Sequence, residues 1–159
     1  MKKQALIKKI IAQLTADLKL YYKAALSARA EATDPQSKAE NKYDTRGLEA
    51  SYLARGQSRQ AAETEAAIEE FQKLIVKDFT PEEPINLGAL VELDAKGEKM
   101  LYFIASRSGG LEVIVGKRDI LVITPQSPLG QQLIGKKQGD RIKMEIAGTK
   151  SDYRILSVS

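Results

Sequence analysis

The chain has 159 residues, room for one domain or two small ones, and a formal net charge of +4. It contains neither cysteine nor histidine, which excludes disulfides, thiolate or imidazole metal sites, cysteine nucleophiles and any histidine-dependent base or triad. Its lysines and arginines are interspersed with acids and form no basic run interleaved with aromatics, so direct sequence-reading of nucleic acid is not supported and a solvated surface is the default.

Met1-Lys-Lys-Gln opens a helix of mixed polarity, with Lys8 and Lys9 interrupting its apolar residues. It offers neither a signal-peptide core nor a spanning segment, so a soluble cytoplasmic protein with no membrane role is expected. From Lys2 to about Ala32 there is no glycine or proline. Ile7, Ile11, Leu14, Leu18, Tyr21, Ala25, Ala28 and Ala32 recur at alternating steps of four and three, the 3.5-residue period of a coiled-coil seam. Thr33-Asp34-Pro35-Gln36-Ser37 breaks the helix, because the residue before proline is pushed out of the helical region and Asp or Ser caps the next helix.

A second seam begins beyond the break: Tyr43, Gly47, Ala50, Ala54, Gln57, Ala61, Thr64, Ile68, Phe71 and Ile75. Both seams carry small residues near the break and bulky ones at the far end. Antiparallel folding about Asp34-Pro35 therefore pairs Ile7, Ile11 and Leu14 with Ile68, Phe71 and Ile75, and alanine with alanine near the tip. Gly47 and Gly56 each cost a helix about 1 kcal/mol relative to alanine, which predicts close helix approach or a bend there. Tyr43, Arg46 and Tyr52 either contact a partner or brace one helix against the other.

The composition then shifts. Alanine dominates before Val76, whereas alternating Val, Ile and Leu dominate after Ile85. The expected class is α+β: an antiparallel coiled-coil hairpin over 1–78, a linker at 79–84 and a compact β-rich domain over 85–159. Strands are predicted at Gly88–Leu93, Lys99–Ala105, Leu111–Val115, Asp119–Ile123, Arg141–Ile146 and Tyr153–Val158, with turns at Ala95-Lys-Gly97, Ser108-Gly-Gly110, Gly116-Lys117 and Gly148-Thr149. Between the fourth and fifth strands, Pro125 closes the strand because it has no N–H for a ladder. Ser127-Pro128 comes next as a capping hydroxyl with proline at the first helical position. Leu129, Leu133 and Ile134 share one face of a short helix, Gly135 ends it with a left-handed cap, and Gly139-Asp140 makes a turn. Backbone N–H groups at that helix start are a candidate site for an acidic side chain of a partner.

A strand, Ser-Pro, one helical turn, Leu-Ile-Gly-Lys, then Gly-Asp and a returning strand resembles the C-terminal domain of the bacterial Gre-type transcript cleavage factors, whose fold is similar to FKBP. The resemblance covers roughly 85–159 and extends upstream, since Gre factors share the plan of an antiparallel helical hairpin followed by an FKBP-like domain. It implies a transcription elongation factor that binds RNA polymerase at the secondary channel, touches nucleic acid only through the transcription complex, acts as a monomer and has no catalysis of its own. It also implies docking contacts on the channel rim, carried onto Pro125, Ser127, Pro128 and Leu129.

In Gre factors the hairpin tip carries an Asp and a Glu three residues apart, then Asn and shortly Tyr, and helps hold a magnesium ion shared with the polymerase active centre. Carboxylate oxygens suit magnesium, and a second metal stabilises attacking and leaving oxygens. Here Glu40-Asn41 matches that pattern and Tyr43 falls one residue short. Ser37 stands where the family has Asp, and Lys38 and Lys42 add positive charge. The implied metal contacts are Glu40 with Asp44 or Asp34, and no cofactor of the chain's own is expected. Glu40 and Asp44, four apart, equally read as acids stabilising a helix start. Polymerase binding is thus the firmer implication, and a Gre-fold inhibitor or regulator without cleavage activity is the alternative. From other classes, the candidates are an FKBP-like prolyl isomerase, although the domain's aromatics are only Tyr102, Phe103 and Tyr153, and a structural coiled-coil dimer.

Overall fold

A computed structural model describes residues 3–37, 46–146 and 148–159 of the chain. Two helices, α1 (Lys3–Thr33) and α2 (Arg46–Lys73), form the N-terminal hairpin, with a single 3-10 turn at Pro35–Ser37 after the first. The strands β1 (Leu90–Ala95), β2 (Glu98–Ile104), β3 (Glu112–Val115), β4 (Arg118–Ile123), β5 (Arg141–Ile146) and β6 (Thr149–Val158) form one sheet, with the short helix α3 (Pro128–Leu133) between β4 and β5. Among the described residues, no helix is long and apolar enough to cross a membrane. The chain divides into two compact units: Ile11–Lys73, and Met1–Ile10 together with Leu74–Ser159.

In the helical unit the heptad periodicity becomes burial. Leu14, Ala25 and Ala28 on α1 and Ala50, Ala61, Thr64 and Phe71 on α2 are buried. Ile11, Leu18, Tyr21 and Ala32, and likewise Gly47, Ala54, Gln57 and Ile68, are half-buried. Thr64 hides its hydroxyl by donating to the Gln60 carbonyl one turn back, at 2.8 Å. Tyr43 lies outside the described residues. Ile75 departs from the predicted seam and is 86% exposed. α2 ends at Lys73, so the helical period that placed Ile75 on the inner face no longer applies. At Gly56 a Cβ would meet nothing within 4 Å, which rules out close helix approach at that glycine.

The sheet runs β3-β4-β2-β1-β6-β5. β2 and β4 pair in parallel while every other pairing is antiparallel. The β1–β2 hairpin turns through Lys96 (φ 53°) and Gly97 (φ 89°), the two left-handed residues of a type I′ turn, whose twist matches that of the strands. The Asp94 carboxylate accepts from the Gly97 N–H at 2.9 Å and secures it. β1 starts two residues later than the alternation suggested, and β6 starts at Thr149 because its polar first half pairs along β5, from Ile146↔Thr149 to Lys143↔Asp152.

One buried cluster combines Val91 and Leu93 of β1, Ile104, Ile123, Ile142 and Ile155, with Ile85 before the sheet and Leu133 from α3. Leu90, Leu101, Phe103, Val113, Ile120 and Val122 are buried as well, and the ladder sets Leu90 against Phe103, Phe103 against Val122, and Ile120 against both Leu101 and Val113. Lys3–Ile10 belongs to this same unit, with Leu6 and Ile10 fully buried. Lys3 is only 4% exposed. Its ammonium donates to the Gly88 carbonyl at 2.9 Å and to the Lys77 carbonyl, and lies 4.9 Å from the Phe79 ring centroid. Burial pulls its pKa below the usual lysine value, and the nearby Asp78 carboxylate opposes that shift.

Candidate functional site

The loop from Thr124 into α3 is built on one hydroxyl. The Ser127 Oγ accepts from the Gly130 N–H at 3.0 Å and donates to the Thr124 carbonyl at 2.7 Å. Ser127 has extended backbone (φ −65°, ψ 154°), as an N-cap requires, and Pro128 occupies the first helical turn. The Ser127 carbonyl takes the Gln131 N–H at 2.9 Å, and the Gln131 side-chain amide donates to the Gln126 carbonyl at 3.1 Å. The N–H groups of Gly130 and Gln131 are thus satisfied inside the loop. α3 is also only six residues long, so few donors at this helix start are left for a partner's acidic side chain.

What the loop presents outward is shape. Gln126 and Pro128 are exposed, whereas Pro125, Ser127 and Leu129 are half-buried. Leu129 and Ile134 pack against the core cluster, and Leu133 is fully buried within it. α3 is thereby pinned by its apolar face while Pro128 faces solvent. Gly130 is buried; a Cβ there would lie 1.9 Å from the Thr124 carbonyl oxygen and 2.8 Å from Ser127 Oγ. Only a residue without a side chain fits under this loop, so Gly130 is a structural part of the site that pattern reading passed over. Its signal was a glycine at the third helical position, where it has no propensity rationale.

After α3 the chain is fixed twice more. Gly135 takes φ +84°, the left-handed cap predicted for it. Its N–H donates to the Ile85 carbonyl at 3.0 Å, and the Ile85 N–H donates to the Lys136 carbonyl at 2.8 Å. At the next turn the Asp140 carboxylate accepts from the Lys137 N–H at 2.8 Å, and the Asp140 N–H donates to the Lys137 carbonyl at 3.1 Å.

Pro125, Ser127, Pro128 and Leu129 therefore come together on one braced loop. The residues of the helical tip are placed differently. Asp34 is exposed just after α1, and its Oδ1 accepts from the Gln36 N–H at 2.9 Å, closing an Asx turn. Glu40, Tyr43 and Asp44 lie outside the described residues, and Arg46 is the first residue of α2. Among the described residues, no three Asp or Glu side chains cluster to hold a metal. Among the described residues Tyr52 shows no contact across the hairpin; it is 58% exposed, with the Arg55 guanidinium 5.7 Å from its ring centroid. A cross-brace between the two helices is Tyr22, whose hydroxyl donates to Glu65. That bond raises the Tyr22 pKa above the ordinary tyrosine value.

Residues 80–159, just over half of the chain, match the family model described as transcription elongation factor GreA/GreB, C-terminal. The transcription elongation factor GreA of Streptococcus gordonii is 31% identical over 90 residues, covering 55% of this chain and 52% of that protein. The GreA of Lachnoclostridium phytofermentans is 32% identical over 101 residues, covering 59% and 60%. The chain spans about half the length of the curated relatives it matches. Among solved structures, GreA factor homolog 1 of Thermus thermophilus is 22% identical, with 94% of each chain covered and a TM-score of 0.39. The matched residues include all six strands, α3 and the Ser127-capped loop, and the chain belongs to the GreA/GreB family of transcription elongation factors.

Proposed function

We infer that this chain binds RNA polymerase at the secondary channel and thereby modulates elongation. The C-terminal unit docks through the braced loop at Pro125, Ser127, Pro128 and Leu129, and the helical hairpin enters the channel, with Tyr43 and Arg46 as further contacts. The observation that carries the reading is the coincidence of the family match over 80–159 with a loop whose buried glycine and internal hydrogen bonds hold Pro128 outward. A loop rigid before contact loses little conformational entropy on binding, which favours docking.

In this reading the chain works as a monomer in the cytoplasm, has no catalysis of its own and meets nucleic acid only through the transcription complex. Asp34 already spends one carboxylate oxygen on its own turn and belongs to no described group of three or more acids, so the described residues do not supply a carboxylate cage for magnesium by themselves. Any magnesium belongs jointly to the polymerase active centre, with Glu40, aided by Asp44 or Asp34, as the carried-over contact. Prolyl isomerase chemistry is not favoured, since Phe103 is fully buried and Tyr102 and Tyr153 pack against the core cluster.

The test is a stalled, backtracked elongation complex with and without the chain, and again in competition with a GreA that cleaves. The expected result is altered cleavage or restart alone, or suppression of cleavage by the competing GreA. No effect in either arm at saturating chain overturns the reading.

A further inference from the structure

Outside the hairpin seam the helical unit leaves several large apolar side chains uncovered. Two packed helices bury one stripe each, yet Leu20, Tyr22, Leu26, Leu48, Tyr52 and Leu53 all remain exposed. Part of this apolar material edges a groove of about 450 Å³ between α1 and α2. Its small residues are Ala25, Ser51, Ala54 and Ser58, and its larger ones are Tyr22, Leu26, Arg29 and Arg55. The small residues leave room for side chains from outside, and Leu26, 67% exposed, supplies an apolar wall.

The charge of the groove selects its occupant. Two arginines line it and no carboxylate does. Among the described residues neither guanidinium pairs with an acid, while Arg55 stacks at Tyr52. Glu65, an acid bonded to a lining residue, is taken up by the Tyr22 hydroxyl and is not itself part of the lining. Arginine forks favour carboxylates in paired geometry. The apolar wall and small-residue floor suit a stripe of alkyl side chains at helical spacing, the arrangement by which an amphipathic helix lies in a groove. A nucleic-acid strand would need a cationic track with open aromatic faces. Here two arginines make no track, Tyr22 of the lining has its hydroxyl tied to Glu65, and Tyr52 already carries Arg55.

We propose that this groove receives a third helix: an amphipathic helix of the partner protein whose apolar stripe is flanked by Asp or Glu, packing on Leu26 and Tyr22 and pairing with Arg29 and Arg55. That the partner is RNA polymerase rests on the function proposed above; the acidic-helix specificity of the groove does not.

Two measurements separate these claims. The first uses a labelled synthetic amphipathic helix with leucines at three- and four-residue spacing flanked by glutamates, and the same peptide with lysines for glutamates, each titrated into the full chain. The glutamate peptide binds at least ten times more tightly than the lysine peptide. Arg29→Glu with Arg55→Glu reverses that preference, and Ser58→Trp, which fills the groove, weakens both. Arg29, Arg55 and Ser58 are all exposed, so circular dichroism of the variants should be unchanged. No binding, or no preference between the peptides, overturns the proposal. The second places a photo-crosslinking benzoylphenylalanine at Leu26 in the complex with purified core polymerase, and an acidic helical segment of polymerase is the expected adduct. Adducts confined to a second copy of this chain or to RNA overturn the proposal. Peptide preference without any polymerase complex leaves the groove assignment standing and sinks the polymerase reading instead.

Discussion

Gly130→Ala probes the docking loop most sharply. The added Cβ would sit 1.9 Å from the Thr124 carbonyl oxygen, 2.8 Å from Ser127 Oγ and 2.9 Å from the Thr124 carbonyl carbon. Backbone atoms cannot rotate away as a flexible side-chain end does, so the segment carrying Thr124 must move off α3. Such overpacking costs about 1–3 kcal/mol, and pulling Ser127 from its cap costs about 1 kcal/mol more. Alanine's better helix propensity returns at most about 1 kcal/mol. The expected net loss is about 1–3 kcal/mol, a large share of a domain's ~5–15 kcal/mol. Gly135→Ala is the internal comparison. Its Cβ meets nothing within 4 Å, so it suffers only the left-handed strain of φ +84°, about 1–2 kcal/mol. Urea unfolding followed by circular dichroism reads both variants. Gly130→Ala lying within about 0.5 kcal/mol of the native chain, on a scale where one cap is worth ~1 kcal/mol, would refute the steric reasoning.

Four other variants probe separate parts of the molecule. Ser127→Ala with Pro128→Ala lowers stability by about 1 kcal/mol and weakens polymerase affinity beyond what that loss explains; unchanged affinity at matched stability removes the loop as the docking point. Lys3→Met keeps the aliphatic stem but leaves the buried Gly88 carbonyl without its donor, a loss of about 1–3 kcal/mol visible in the urea midpoint. Gly56→Ala raises stability by about 0.5–1 kcal/mol, since the Cβ enters open space in a helix interior. The Glu83 pKa is lowered by Lys77 at 2.7 Å and by the Thr80 N–H at 2.8 Å, and that of Glu69 by Lys73. The unfolded chain therefore binds more protons, so this stability is present above the ordinary glutamate pKa of about 4.3 and fades as pH falls through the lowered values. Glu83→Gln should flatten the acid limb of a stability–pH curve, and an unchanged limb shows the Lys77 pair contributes nothing.

Much of the fold was legible because periodicity maps directly onto burial. The α1 seam from Ile7 to Ala32 is buried or half-buried throughout, since a 3.5-residue repeat states which face is covered. Ile75 misled because no glycine or proline stands between Lys73 and Pro81, so nothing local marks the end of α2. The pattern also runs unbroken through Ile7, giving no sign that Lys3–Ile10 is grouped with Leu74–Ser159. The parallel pairing of β2 with β4 joins segments separated by a whole strand, and alternation carries no record of partners. At the loop, the Ser127 cap and the Gly135 turn were readable because both are local chemistry. The role of Gly130 was not, because the oxygen that forbids its side chain is placed by the path of the chain through Thr124. The Arg29–Arg55 groove was hidden for the same reason: its residues meet only when the hairpin closes.

Everything proposed for function depends on polymerase binding through the C-terminal loop. Sedimentation velocity of the fluorescently labelled chain with purified core RNA polymerase puts that binding to a direct test. The label should move at the polymerase boundary, saturate at one chain per polymerase, and be displaced by unlabelled chain but far less by the Ser127→Ala, Pro128→Ala variant. A label that keeps its own slow boundary at every polymerase concentration would mean that the chain does not bind.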